Sequence, residues 1–347
     1  MGARSIAQSV TTEPPRTTDT YRVAVTGDQA NPDGSTIFGD IGLARLETAG
    51  FEWRVIPVDG DVLSPTQIHG FDALLMMGGK GIDSSSFDET NRLRHIARFG
   101  AGYDAIDVAA CTRSGVVVTN TPDAVRAPMA QAALTMVLAL AHNLLTKDHL
   151  VRSNRWLERI EWQGRGIGSR TVGIVGFGSI GSETARLFRA LGVRVIAYNR
   201  SDKTELAKSM GVQLMPLAEV VARSDFIVVT VAGGAQTTGL ISSGLIGSMK
   251  PDAFLVNVAR GSVVDEKALV EALRAGRIAG AGLDVFQHEP IDLDSPLIAM
   301  QNVILTPHSL SWTDEFAEAV ADSAITALLD VGQGRTPRNV VNPEVLS

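Results

Sequence analysis

The stretch Thr171 to Gly181, TVGIVGFGSIG, constrains the fold more than any other part of the chain. Thr171 to Val175 is a short β-branched run that reads as a strand, and Gly176, Gly178 and Gly181 follow it at G-x-G-x-x-G spacing. Each glycine has a separate reason to be there. Gly176 permits the tight turn out of the strand, Gly178 lets backbone approach a pyrophosphate, and Gly181 lets the next helix pack closely on the sheet. That helix is expected from Ser179 to about Leu191, its free first-turn amides, those of Ser179 and Ile180 among them, facing phosphates. Glycines at this spacing also serve ordinary turns, but strand, turn and helix in this order favour a dinucleotide cradle.

A second strand, Val193 to Tyr198, ends at Asn199-Arg200-Ser201. An NAD-binding unit of this kind places an acidic residue here to accept from the ribose hydroxyls. No carboxylate occupies the position. Asn199 removes the charge that would repel a 2′-phosphate, Arg200 offers a planar fork to pair with it, and Ser201 offers a hydroxyl donor. NADP is therefore the preferred cofactor, with NAD possible. The alternative is that Arg200 is a solvated loop cation and either dinucleotide serves.

Hydrophobic residues make up 45% and charged residues 20% of the 347, which suits a soluble enzyme of two domains. A net charge of -7 without a basic, aromatic-rich run argues against nucleic acid as a partner. The single cysteine, Cys111, excludes an internal disulfide and fits a reducing cytoplasm. It reads as a core residue of a helical stretch with Val108 and Ala109. The Thr-, Ser- and Pro-rich residues 1–20 read as a mobile tail, with no apolar stretch resembling a signal peptide. The most apolar segment, Met129 to Leu145, is interrupted by Gln131, His142 and Asn143 and falls short of the roughly 20 residues needed to span a bilayer. It reads as a buried helix, and no membrane partner is expected.

Two α/β units emerge from the alternation of apolar strands and helical segments, which implies parallel sheets. The first has strands at Tyr21 to Thr26, Phe71 to Met77, Arg94 to Phe99 and Val116 to Thr119. The second holds the glycine-rich turn, with further strands at Phe226 to Val231, Ala253 to Val258, Ala279 to Val285 and Val303 to Leu305. Asp314 to Leu329 reads as a final helix.

Three later pieces carry the remaining chemistry: Asn257-Val258-Ala259-Arg260-Gly261, then Gly282 to Pro290 (GLDVFQHEP), then Leu305-Thr306-Pro307-His308. With Gly100-Ala101-Gly102-Tyr103-Asp104-Ala105-Ile106-Asp107 near the front, the chain resembles the D-isomer-specific 2-hydroxyacid dehydrogenases from about Tyr21 to Val341. That family includes glyoxylate/hydroxypyruvate reductases. The resemblance implies two Rossmann-like parallel-sheet domains with a cleft between them. Residues 21–120 and 309–347 would form a discontinuous substrate domain, the final helix returning to the first unit, and residues 121–308 would form the dinucleotide-binding domain. It also implies a homodimer, with the Met129 helix linking the domains and contributing to the interface.

The implied reaction is hydride transfer between a nicotinamide and C2 of a 2-keto acid, giving a D-2-hydroxy acid, with proton delivery to the forming alkoxide. His308 is the candidate acid/base, since imidazole titrates near neutral pH. Glu289 would hold one ring nitrogen and fix the tautomer, and Arg260 would bind the substrate's carbonyl and carboxylate oxygens. His288 competes as an acid but reads as a rim residue. Amides of Gly78, Gly79, Ala101 and Gly102 are candidates to cradle the substrate carboxylate, and Lys80 is a candidate counter-charge. By resemblance Asp284 lies near the nicotinamide amide, while Val231, Thr237 and Val258 line the cofactor. No metal is expected.

Departures from the family pattern bear on the substrate. Small residues commonly follow the histidine, whereas here Ser309-Leu310-Ser311-Trp312 follows, and Trp312 either walls a small pocket or packs in the core. Gln131 replaces a usual acidic residue, and Met77 stands where a basic one often occurs. Formate dehydrogenases carry glutamine where Glu289 stands. Asn199-Arg200-Ser201 points to the reductive branch and short keto acids such as glyoxylate or hydroxypyruvate. The contrasting readings are a dinucleotide-sensing interaction protein, as in corepressors of this fold, and a dehydrogenase of an unusual substrate.

Overall fold

Every strand in the two main sheets runs parallel to its neighbours, so each needs a crossover to return the chain and covering layers on both faces. A computed structural model describes residues 20–347, so the tail expected over residues 1–20 lies outside them but for Thr20. The first sheet has the order β2-β1-β3-β4-β5, formed by β1 (Arg22–Thr26), β2 (Glu52–Ile56), β3 (Ala73–Met76), β4 (His95–Arg98) and β5 (Val117–Thr119). The second has the order β12-β11-β10-β9-β6-β7-β8. Its strands are β6 (Thr171–Val175), β7 (Arg194–Tyr198), β8 (Gln213–Leu214), β9 (Phe226–Val229), β10 (Phe254–Asn257), β11 (Gly280–Leu283) and β12 (Val303–Leu305).

Helices α1 (Ala44–Thr48), α2 (Pro65–Ile68) and α3 (Val108–Arg113) serve the first sheet, and α4 (Pro122–Ala141) and α5 (Leu144–Arg152) lead to the second. There α6 (Ser179–Ala190), α7 (Thr204–Ser209), α8 (Leu217–Arg223), α9 (Ser243–Gly247) and α10 (Glu266–Arg274) join the strands. The last helix, α11 (Asp314–Gly332), lays Phe316, Val320, Ile325 and Leu328 into the core of the first sheet beside Val23, Val25 and Leu75. Central strands such as β9 (FIVV) are buried throughout, as a sheet covered on both faces requires.

Three elements differ from the sequence reading. Strand β2 was not anticipated, because EWRVI alternates charged, exposed positions with apolar ones at a sheet edge. Strand β8 is a two-residue edge with no periodicity to read. The Met129–Leu145 segment is not one helix: α4 starts earlier, at Pro122, and ends at Ala141. Asn143 then takes a left-handed φ of 51°, which asparagine tolerates better than most residues, and its amide donates to the carbonyl of Gln163 at 3.3 Å. Leu144 and Leu145 emerge exposed rather than buried.

Among the described residues α4 alone is long and apolar enough to cross a membrane by length and composition. Its Ala133, Met136, Val137 and Leu140 nevertheless belong to the core of the seven-stranded sheet. Cys111 is fully buried in α3, and burial pushes its thiol up to about 12, which keeps it a core residue.

The loops that matter follow the carboxyl ends of the strands, where open α/β sheets bind ligands. Gly78 follows β3, Arg98 ends β4, Gly176 follows β6, Arg260 follows β10, Asp284 follows β11 and His308 follows β12.

One buried group gives the fold a pH dependence. His95 on β4 is wholly buried, its Nε2 lies 2.8 Å from Thr119 Oγ1, and its Nδ1 has no partner among the described residues. Burial pushes its pKa from 6.5 down to about 3. Below pH 6.5 the unfolded chain takes up a proton that the folded chain refuses, so stability falls as the pH falls from 6.5 towards 3. The slope from this group alone is about 1.4 kcal/mol per pH unit. Urea unfolding across that range should show the loss, and His95→Gln should flatten the acid-side slope by about one proton; an unchanged slope would refute the assignment.

Candidate active site

Turn geometry comes first on the dinucleotide side. Gly176 has a φ of 103°, a conformation L side chains rarely adopt, and a Cβ there would fall 2.8 Å from the Val231 amide. A Cβ at Gly181 would fall 1.9 Å from the Gly176 carbonyl oxygen, so α6 can approach the turn only with glycine at this position. Thr230, which the sequence reading did not single out, donates its hydroxyl to that same carbonyl at 2.8 Å. Gly178 differs: a Cβ there would meet nothing within 4 Å. It is the N-cap of α6 and carries no side-chain cap, so the first-turn amides of Ser179 and Ile180 receive no side-chain acceptor from it. An open glycine cradle at an uncapped helix N-terminus fits a pyrophosphate.

The end of β7 is tied to this turn. Asn199 Oδ1 accepts from the Phe177 amide at 2.9 Å, while its Nδ2 donates to Ser201 at 3.0 Å. Arg200 is exposed and bonds to Gln236, on the loop after β9. No carboxylate stands among these three residues, and Asp202 beyond them is engaged by Thr204 at 2.6 Å. Thr237 bonds the Ala232 carbonyl at 2.8 Å and so shapes its own loop.

A cavity of about 620 Å³ opens between the two sheets. It is lined by Arg260, Glu289 and His308, by Gly78, Gly79, Ala101 and Gly102, and by Ile180 and Val258 from the dinucleotide side. Distant stretches of sequence thus meet at one place. Lys80 is not in the lining; its ammonium bonds the Gly60 carbonyl, which removes it as a counter-charge for the cavity. Gly78 and Gly102 are constrained by side chains as well as by any ligand, since a Cβ would fall 1.5 Å from Asp28 Oδ2 and 1.7 Å from Arg260 Nη2, respectively.

His308 Nδ1 lies 2.7 Å from Glu289 Oε2. A carboxylate only accepts, so Nδ1 carries the proton and Nε2 is the nitrogen left without a partner among the described residues. Glu289 Oε1 in turn accepts from the Phe286 amide at 3.0 Å. Burial alone would push Glu289 up, but the bonds from His308 and Phe286 and the charges of His308 and Arg260 outweigh it and hold the carboxyl below its ordinary range. His308 itself sits at a φ of 52°, an unfavourable conformation for a side-chain-bearing residue. Asp284 holds it there. Its buried Oδ1 accepts from Thr306 Oγ1 at 2.7 Å and from the Ser309 and Leu310 amides at 3.1 and 3.2 Å. Burial raises its pKa, opposed by these bonds and by His308.

Two charged residues of the cavity escaped the sequence reading. Arg98 is deeply set; its Nε donates to the Gly102 carbonyl at 2.9 Å and its Nη1 to those of Met76, Met77 and Gly78 at 3.0, 2.7 and 2.8 Å. Burial and the nearby Arg260 push it down to about 10, still a cation at neutral pH, with Asp104 and Asp28 opposing. The available signal was a lone arginine closing an apolar strand two residues before Gly100. Asp104 faces Arg260 across the cleft, and only its place within the Gly100–Asp107 motif pointed to it.

Trp312 lines the cavity rather than the core, 42% exposed, with Phe38 4.9 Å away edge-on. Phe38 also packs on Phe99 and Phe316, so one side of the cavity is an aromatic wall.

Comparison with known proteins agrees with this geometry. Residues 134–309 match the family model described as D-isomer specific 2-hydroxyacid dehydrogenase, NAD binding domain. The chain is 41% identical over 286 residues to a glyoxylate reductase of Pyrococcus furiosus, covering 81% of this chain and 85% of the relative. A glyoxylate reductase of Thermococcus kodakarensis is 41% identical over 305 residues, covering 85% and 91%. Among solved structures, the NADPH-dependent glyoxylate/hydroxypyruvate reductase of Sinorhizobium meliloti, in complex with NADP and malonate, superposes with a TM-score of 0.80 at 30% identity, covering 93% of this chain and 97% of that one. The chain belongs to the D-isomer specific 2-hydroxyacid dehydrogenases, oxidoreductases that use a nicotinamide dinucleotide to interconvert 2-keto and D-2-hydroxy acids.

Proposed function

We propose that this enzyme reduces short 2-keto acids, glyoxylate and hydroxypyruvate foremost, to D-2-hydroxy acids, with NADPH preferred over NADH. The observation that carries the reading is the His308–Glu289 pair and the Arg260 guanidinium lining one cavity beside the glycine cradle. The dinucleotide would rest on Gly176, Gly178, Ser179, Ile180 and Gly181, with Val231, Thr237 and Val258 lining it and Asp284 near its nicotinamide amide. When bound, its nicotinamide supplies the hydride that the keto carbon accepts.

The chain's own residues handle charge and protons. Arg260 receives the keto and carboxylate oxygens and stabilises the negative charge that grows on the former, a kind of donor whose loss costs about 3 kcal/mol. His308 delivers the Nε2 proton to the forming alkoxide, a step typically worth ~10²–10⁴ in rate. Glu289 holds the Nδ1 proton in place and balances the imidazolium that precedes transfer. Backbone amides of Gly78, Gly79, Ala101 and Gly102 cradle the carboxylate, and the Phe38–Trp312 wall limits the room for a side chain. Asn199, Arg200 and Ser201 favour a 2′-phosphate because they bring a cation and a hydroxyl with no carboxylate to repel it. The relative of known structure that was solved with NADP and malonate supports both halves of this reading. One buried thiol and net negative charge suit a cytoplasmic enzyme acting on a small molecule.

Initial rates of NADPH and NADH oxidation with a panel of 2-keto acids test the proposal. His308→Gln should lower kcat by about 10² or more while dinucleotide affinity holds. Arg200→Ala should weaken NADPH and spare NADH. Silence across the panel would sink the substrate assignment, and unchanged NADPH affinity in the arginine variant would sink the cofactor preference.

We also propose a homodimer. The arm from α5 through residues 156–161 leaves Val151, Trp156, Leu157 and Ile160 exposed, Leu157 and Ile160 by 79% and 81%. Apolar patches of this kind are commonly interfaces, and a second copy of the chain is the occupant that gives a closed, symmetric assembly. Sedimentation should read twice the chain mass at micromolar concentration, and Ile160→Lys should shift it towards the monomer; a monomeric wild type would overturn the assignment.

A further inference from the structure

The side chain of Arg260 is held from two sides of the cleft. On the dinucleotide side a Cβ at Gly233 would fall 2.7 Å from its Cγ, and on the opposite side a Cβ at Gly102 would fall 1.7 Å from its Nη2, so the side chain lies in a slot between two glycines. At the edge of this slot stands Asp104. Arg260 Nε donates to both oxygens of Asp104 at 3.1 Å, and Nη2 donates to Oδ1 at 2.9 Å. A further bond runs from Nη1 to the Ala259 carbonyl at 2.8 Å.

Counting hydrogens shows what this leaves. A guanidinium has five N–H groups: one on Nε and two on each terminal nitrogen. Asp104 takes the parallel pair along the Nε–Nη2 edge, and Ala259 takes one hydrogen of Nη1. One hydrogen on Nη1 and one on Nη2 remain, enough for a bidentate grip on a planar acid. Asp104 is itself secured, because the Gly102 carbonyl two residues earlier accepts from Arg98, which also ties down the carbonyls of residues 76–78. Burial works against the charge of Asp104, but the bonds and charge of Arg260, with Arg98 behind, hold the carboxyl below its ordinary range.

We propose that Asp104 is a positioning residue for substrate binding: from the opposite wall of the cleft it clamps the side edge of Arg260, so that the remaining edge of the guanidinium is presented to the 2-keto acid. The proposal rests on Arg260 being the substrate-binding arginine. It opposes the other reading of the same contact, in which Asp104 occupies the seat of the substrate carboxylate and competes with it. The two readings predict opposite signs. Loss of a clamp raises the KM for substrate, whereas loss of a competitor lowers it.

The experiment is steady-state reduction of glyoxylate by the full-length enzyme and by Asp104→Asn, Asp104→Ser, Asp104→Glu and Arg260→Met. Oxalate, an unreactive planar acid, is titrated onto each protein in parallel by calorimetry, and thermal midpoints check folding. The clamp predicts that Asp104→Asn and Asp104→Ser raise the glyoxylate KM by about ten- to a hundredfold, with a smaller change in kcat. Oxalate should weaken by a similar factor, dinucleotide affinity should hold, and Asp104→Glu should recover most of the loss. Two neutral variants are used so that a folding failure in one leaves the other decisive. An unchanged or lower KM and oxalate Kd in the neutral variants, with Arg260→Met still defective, would overturn the role of Asp104 and leave the reading of Arg260 intact. Unchanged KM and oxalate binding in Arg260→Met would defeat that underlying reading and the proposal with it.

Discussion

The carboxylate of Asp284 is the point on which the site depends. It is 1% exposed at the end of β11, where an uncompensated charge would be costly, and one oxygen takes three hydrogen bonds, all from the segment Thr306–Leu310. Those bonds offset part of the burial and hold the turn that carries His308 through a left-handed backbone. With the turn fixed, one nitrogen of the imidazole meets Glu289, and Glu289 in turn is aimed by the Phe286 amide. The chain then leaves through Trp312 into α11, which packs on the other sheet. One buried acid therefore orders the His308–Glu289 pair at the place where the chain crosses between sheets.

The second requirement is that two separate sheets present their carboxyl ends to one cleft. β10 delivers Arg260 and β12 delivers His308 from the seven-stranded sheet, while β3 and β4 deliver Gly78 and Arg98 from the five-stranded one. The glycines are spent where backbone or side chains must come unusually close. Gly181 admits the Gly176 carbonyl, Gly102 admits Arg260, and Gly261 admits the Phe286 backbone, where a Cβ would fall 1.9 Å away. Charge alternates across the gap from Arg98 through Asp104 to Arg260, and Glu289 accepts from His308, so the carboxylates of the cleft are each engaged by a side-chain donor.

Much of this was legible in the sequence because the signals were local. The strand, glycine turn and helix of Thr171–Ala190 lie within one continuous stretch, and central strands buried on both faces read as unbroken apolar runs. Arg260, Glu289 and His308 stand in short motifs that resemble a known family. What escaped depended on contacts between distant residues. Nothing near Asp104 in the sequence announces Arg260, 156 positions away. The charge of Arg98 looked like an ordinary strand end because its acceptors are backbone carbonyls at the end of β3 and in the loops after β3 and β4. Strand β2 hid behind the charges that an exposed edge tolerates. The break at Asn143 hid because apolar residues resume beyond it, so the polar pair His142-Asn143 looked like an interruption within one helix rather than its end. Trp312 was undecided between core and cavity, since its surroundings are set by Phe38, in the loop between β1 and α1 far away in the sequence.

The central claim is stereospecific reduction at this cavity, and the most direct test is the product. Hydroxypyruvate incubated with the enzyme and NADPH would be followed by cofactor absorbance and by chiral separation of the hydroxy acid. The account predicts D-glycerate formed one-for-one with cofactor oxidised, and loss of both signals together in His308→Gln. Formation of the L-isomer, or D-glycerate production undiminished in that variant, would contradict it.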